Sequence, residues 1–212
     1  MSHKRALIVV DVQNDFLPGG PLGVESGNRI LPVVGNLIEN GQWDLVVMTQ
    51  DWHPADHVSF ASNHPGRKPF ELIDLPYGSQ VLWPNHCIAG TEGAQIAWVI
   101  GTTGADLVLR KGHDKSVDSY SAFCAADGHS ITGLEAYLKA HEIEEIIVCG
   151  IATDFCVSYT ALDGAKAGFK TSVVMDASAA IDTNGSLAAA KAAWKEAGIR
   201  EVLSINYVKP LE

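Results

Sequence analysis

Six apolar runs of strand length, separated by turn residues or helix-period segments, constrain this chain more than any other feature. They are R-A-L-I-V-V (residues 5–10), D-L-V-V-M-T-Q (44–50), D-L-V-L-R (106–110), E-E-I-I-V-C (144–149), T-S-V-V-M (171–175) and E-V-L-S-I (201–205). The first is apolar throughout after Arg5 rather than alternating, the pattern of a strand covered on both faces in a parallel sheet. Helical patterns fall over residues 28–40, 153–169 and 186–197, and a further one over 132–141 opens on Thr132-Gly133-Leu134-Glu135 with the spacing of a capping box. Strands that alternate with helices require right-handed crossovers and give a doubly wound sheet with helices on both faces. The expected fold is therefore α/β: a three-layer α/β/α, Rossmann-like arrangement around six mostly parallel strands. Ligands bind such sheets outside the carboxyl ends of the strands.

That edge collects the residues with useful chemistry. Asp11 ends the first strand, Asp51 the second and Lys111 the third, and Cys156 follows the fourth after the turn G-I-A-T-D-F (residues 150–155). Cys156 falls in the first turn of the next helix, where the helix dipole and unpaired N–H groups favour a thiolate; a small buried hydrophobe is the plainer reading of a cysteine. Asp11, between a buried strand and a loop, suits a general base with a raised pKa, or simply caps the loop. Lys111 suits an orienting cation, or is an ordinary solvated lysine. Together the three make a nucleophile, a base and a cation.

The connection over residues 51–105 has no long periodic run and is too rich in Trp, His and Pro for a solvated linker, so it is expected to build the site. Asp51 and His53, two apart on extended chain, point to one side, and W-P-N-H-C (83–87) can return His86 as a third metal ligand. Carboxylate with imidazole suits a divalent ion, zinc first and iron or manganese as alternatives. His57 is left open as a fourth ligand, a hydrogen-bond partner or a substrate contact. His64, His113, His129 and His141 are read as packed or surface residues, and Cys87, beside His86, points the opposite way. Phe16, Trp83 and Tyr120 suit the walls of a pocket for a flat ring.

Length, charge and cysteine usage narrow the class. A chain of 212 residues with 47% hydrophobic content supports one domain over residues 1–212. A net charge of -10, without a basic cluster, argues against nucleic acid and anionic membranes and for a small neutral substrate. The apolar run before Asp11 is too short for a leader or a span, so a cytoplasmic protein is expected. Cys87, Cys124, Cys149 and Cys156 have no repeated spacing and point to reduced thiols. Room is left for a homo-oligomer.

With these residues in place, the chain resembles the nicotinamidases (pyrazinamidases) of the isochorismatase-like cysteine hydrolase superfamily. D-V-Q-N-D-F (11–16), Q-D-W-H-P (50–54), W-P-N-H-C (83–87), R-K-G (110–112), D-S-Y-S-A-F (118–123) and G-I-A-T-D-F-C-V (150–157) carry the resemblance, in the family's order. It implies an isochorismatase-like fold and hydrolysis of nicotinamide to nicotinate and ammonia in NAD salvage, with pyrazinamide as an analogue. It further implies proton transfer from Cys156 to Asp11 and a Cys156 thioester, with the N–H groups of Ala152 and Cys156 forming an oxyanion hole. Asp51, His53 and His86 would bind the metal, and a non-proline cis peptide is expected at Ala152-Thr153. The competing readings are a relative acting on another amide or an N-carbamoyl compound, and a non-catalytic metal-binding or redox-sensing protein in which Cys156 is oxidised.

Overall fold

The structure is a computed structural model that describes residues 3–209; Met1 and Ser2, which open the stretch read as too short for a leader, lie outside it. Strands β1 (Arg5–Val10), β2 (Leu45–Asp51), β5 (Leu107–Lys111), β6 (Glu145–Ile151), β7 (Lys170–Ala179) and β8 (Arg200–Val202) form one sheet in the order β5-β2-β1-β6-β7-β8. Every pairing in it is parallel. The order reverses between β1 and β6, so the crevice expected of a doubly wound sheet opens where those strands end.

Strand alternation sorts the core into two layers. Leu7, Val9, Val46, Met48, Ile147 and Cys149 face helix α1 (Gly27–Asn40), whose Ile30, Val34 and Leu37 form the matching stripe. Ala6, Ile8, Val10, Val47, Ile146 and Val148 face the other way. There they meet α2 (Leu134–Ala140), α3 (Cys156–Lys166) and α4 (Ser186–Glu196) through Leu134, Leu138, Val157, Ala161, Ala190 and Trp194. Each such large apolar side chain contributes about 1.5–3 kcal/mol by burial. This is the expected three-layer arrangement. Among the described residues no helix is long and apolar enough to cross a membrane.

Several sequence expectations shift. Helix α3 begins at Cys156, not at residue 153, because residues 152–155 stay in the turn that follows β6. Strand β7 runs on to Ala179, and β8 stops at Val202 where a 3-10 turn takes over. The capping box does not form: Gly133 caps α2, Thr132 Oγ1 accepts the Leu134 N–H instead, and Glu135 pairs with Lys139. The connection between β2 and β5 is not free of regular structure. It carries an antiparallel hairpin of β3 (Leu72–Leu75) and β4 (Gly78–Val81), whose four-residue strands are too short to show a period.

Candidate active site

Four neighbouring strands, β5-β2-β1-β6, bring Lys111, Asp51, Asp11 and the Cys156 turn to one edge. Register sets two of them side by side, since Asp51 pairs with Lys111 as the last residues of β2 and β5. Asp11 follows β1 in the left-handed region (φ 49°), its N–H donated to Thr49 Oγ1 at 3.1 Å while the Thr49 hydroxyl donates to Asp11 Oδ1 at 2.6 Å. Gly150 passes so close to Val10, at φ +123°, that a side chain there would strike the β1 backbone. That approach lets β6 deliver the Cys156 turn beside Asp11.

Lys111 is the hub, and it is 1% exposed. Its Nζ donates to Asp51 Oδ1 at 2.5 Å, Ser119 O at 2.8 Å and Cys156 Sγ at 3.5 Å. It also forms an ion pair with the buried Asp11 Oδ2 at 2.8 Å. Asp11 Oδ2 thus has a positive charge beside it. Carboxylate oxygens of Asp11 and Asp51 and the Cys156 sulfur all lie within 4.8 Å of one another.

The electrostatics divide these groups by role. Burial works against a charge on Asp51, but Lys111 and His53 hold its carboxyl well below the ordinary range. Burial raises Asp11 to about 6 against the pull of Lys111. Lys111, desolvated but facing Asp11 and Asp51, stays an ammonium. Burial pushes the Cys156 thiol up against the pull of Lys111, and Asp11 and Asp51 nearby add to the rise. It rests as a thiol and needs a base. Cys149, buried in β6 at seven residues' remove, is pushed up to about 12 and touches none of these groups.

The second half of the site comes from the long connection. Ligand atoms of Asp51, His53 and His86 lie within 4.8 Å of one another, all buried. Asp51 Oδ2 is 3.6 Å from His53 Nε2 and 3.9 Å from His86 Nε2. Each ring turns that nitrogen inward because its Nδ1 contacts a carbonyl, Gly112 O for His53 and Pro84 O for His86, both at 2.8 Å. Gly112 lies so close to the His53 ring that a Cβ would collide with it. Burial lowers His86 to about 4, which leaves it in the neutral, ligating form. An ionised carboxylate and two inward Nε2 atoms fit a divalent ion.

His57, left open by the sequence, packs its ring 4.2 Å from that of His53 and bonds Ser59 Oγ at 2.7 Å. It forms a separate buried group with His53 and Asp118 rather than joining Asp51. His64, His113, His129 and His141 belong to no such group, and neither does Cys87, whose backbone N–H donates to Asp15 Oδ2. All four cysteines are free thiols.

Phe16, Trp83 and Tyr120 do line one cavity, together with Asp51, His86 and Cys156. The Trp83 indole N–H donates to Tyr120 Oη at 3.0 Å and fixes the two rings edge to face. Ala152 lines the cavity too, and sequence reasoning missed the remaining four, Leu22, Asp118, Phe155 and Ile181. Phe155 was within reach as the residue before Cys156, whereas Ile181 comes from beyond β7 with no local signal. It also missed Gln13, whose amide clamps the Asp51 backbone in both directions, accepting its N–H and donating to its carbonyl, each at 2.8 Å. The Ala152 and Cys156 amides have no protein acceptor among the described residues. The cis peptide lies at Ile151-Ala152, one bond earlier than expected.

Comparison with known proteins agrees with this geometry. Residues 5–202 match the isochorismatase domain family. The chain is 50% identical over 208 residues to a nicotinamidase of Acinetobacter baylyi, covering 97% of this chain and 95% of that protein. The solved nicotinamidase/pyrazinamidase of Acinetobacter baumanii superimposes with a TM-score of 0.93 at 50% identity, over 97% of this chain and 99% of the other. The pyrazinamidase of Pyrococcus horikoshii, solved in complex with zinc, matches with a TM-score of 0.73 at 32% identity, over 94% and 99%. The chain therefore belongs to the isochorismatase domain family, in the branch that holds these nicotinamidases.

Proposed function

We propose that the protein is a metal-dependent cysteine amidase that hydrolyses nicotinamide to nicotinate and ammonia, accepts pyrazinamide, and serves NAD salvage. The observation that carries the chemistry is the buried Asp11 carboxylate within reach of the Cys156 sulfur, both beside the Lys111 ammonium. The nicotinamidases named above carry the choice of substrate.

Asp11 takes the thiol proton, and the thiolate attacks the carboxamide carbon. The oxyanion that forms faces the amides of Ala152 and Cys156, each such donor supplying about 3–4 kcal/mol in the transition state. Asp11 returns the proton to the leaving nitrogen, so ammonia departs and a Cys156 thioester remains. Water then gives Asp11 a proton as it attacks the thioester, the Cys156 sulfur leaves and is reprotonated, and nicotinate is released. Lys111 stays charged throughout and keeps Asp11 ionisable despite its burial. Phe16, Trp83, Tyr120 and Phe155 enclose the ring and exclude bulk water.

Asp51, His53 and His86 would hold the divalent ion, for which the donor set and the zinc complex of the Pyrococcus relative favour zinc. Such an ion would supply Lewis-acid chemistry that holds a ring nitrogen, directly or through a bound water, and so would orient the carboxamide towards Cys156. Ammonia release from nicotinamide by protein reconstituted with zinc, iron or manganese tests the reading. Turnover that falls on chelation is the expected result, and no turnover with any of the metals would overturn it.

A further inference from the structure

The cavity at Cys156 holds only about 20 Å³ of space accessible to solvent, room for roughly one water. A pyridine ring cannot enter without displacing a wall. Outside it lies a groove of about 680 Å³ along residues 20–26, Arg29 and Phe70, and two side chains line both spaces, Leu22 and Ile181. They form the border that the two spaces share.

The two are held differently. Leu22 belongs to a turn tied by its own backbone, with Leu22 N–H on Asp15 O, Gly23 N–H on Gly20 O and Val24 N–H on Phe16 O. Ile181 belongs to residues 180–185, where Asp182, Asn184 and Gly185 take positive φ. Its amide and that of Asp182 are held by one side chain, Asp154, at 3.0 and 2.8 Å, and the same carboxylate accepts the Ser186 hydroxyl at 2.5 Å. Asp154 is itself nearly buried and sits two residues before Cys156, in the turn that carries the nucleophile.

We propose that Asp154 is a positioning residue that latches residues 180–185, and with them Ile181, as the gate through which the substrate passes from the outer groove to Cys156. The inference rests on the cysteine-amidase reading for what enters, but the gate is measurable without turnover. Charge-assisted hydrogen bonds to backbone N–H groups are the strong kind, so weakening them shifts the segment towards its open arrangement.

The test is the rate at which iodoacetamide alkylates Cys156, resolved from the other thiols by fragment-ion mass spectrometry, with buried Cys149 as the internal folding control. Asp154→Asn and Ser186→Ala are each expected to raise the Cys156 rate, the former by about tenfold, with Cys149 still unreactive. Ile181→Ala, which trims that border directly, should raise it at least as much. It should also improve kcat/KM for a ring-methylated nicotinamide relative to nicotinamide, an effect that mere destabilisation would not produce. Should Asp154→Asn expose Cys149 as well, Ser186→Ala decides: a faster Cys156 alone supports the latch. A Cys156 rate unchanged in both Ser186→Ala and Ile181→Ala overturns it. Absence of nicotinamide turnover in the native protein would instead count against the amidase reading, and the alkylation rates would still decide the gate.

Discussion

Lys111, Asp11 and Cys156 hang from the ends of strands, whereas His53 and His86 hang from the long connection between β2 and β5. Asp51 belongs to both groups, bonded to Lys111 on one side and facing the two imidazoles on the other. The strand-end group is placed by sheet register, which a substitution at one side chain does not move. The loop group is placed by separate hydrogen bonds: Gly112 O and Pro84 O on the rings, Gln13 on the Asp51 backbone, Asp15 on Cys87 next to His86. On the proposed reading, bond formation falls to the group placed by the sheet, and substrate orientation to the group held by many local contacts.

The comparison can be broken at its strongest point first. Cys156→Ala is expected to lower nicotinamide turnover by at least about 10⁴-fold, while Cys149→Ala, seven residues away in the same strand-turn unit, leaves it within about twofold. Equal losses in the two would erase the distinction between the strand and its turn. Next, Lys111→Met should abolish activity and destabilise the fold by about 3–5 kcal/mol in a denaturant melt, because it leaves the buried Asp11–Asp51 pair without its cation. Activity lost with stability unchanged would show that the two carboxylates do not depend on Lys111.

On the loop side, His86→Ala should lower bound metal and cut turnover by about 100-fold, yet leave Cys156 alkylated no more slowly than in the native protein, since the nucleophile is placed by the sheet. Slower alkylation as well would join the two halves into one. The smallest effect concerns Asp11. Its carboxyl titrates at about 6, and only the ionised form can accept the thiol proton, so kcat/KM should fall as pH drops below that value. Thr49→Val removes a hydrogen bond that favours the ionised form, so the same acid limb should move to higher pH by less than about one unit. A shift to lower pH would contradict the assignment of Asp11 as base.

How much of this was legible in the sequence follows the same division. Strand ends announce themselves, because an apolar run that stops on Asp11, Asp51 or Lys111 places that residue at the carboxyl edge, and the Asp51–His53 spacing needs only extended chain. The hairpin over residues 72–81 left no period, and Ile181 reaches the cavity only through the length of β7 and the Asp154 bonds. The depth of the Cys156 thiol was not legible either: burial and the nearby carboxylates push it up, opposite to the pull expected of a helix start. No local pattern reports how deep a residue lies.

The central claim, a covalent route through Cys156, is tested most directly by acid-quenching metal-reconstituted protein during nicotinamide turnover and locating any acyl adduct by fragment ions. The account predicts a nicotinoyl group on Cys156 and none on Cys149. Ammonia released at the native rate by Cys156→Ala, with no adduct on the native chain, would contradict it.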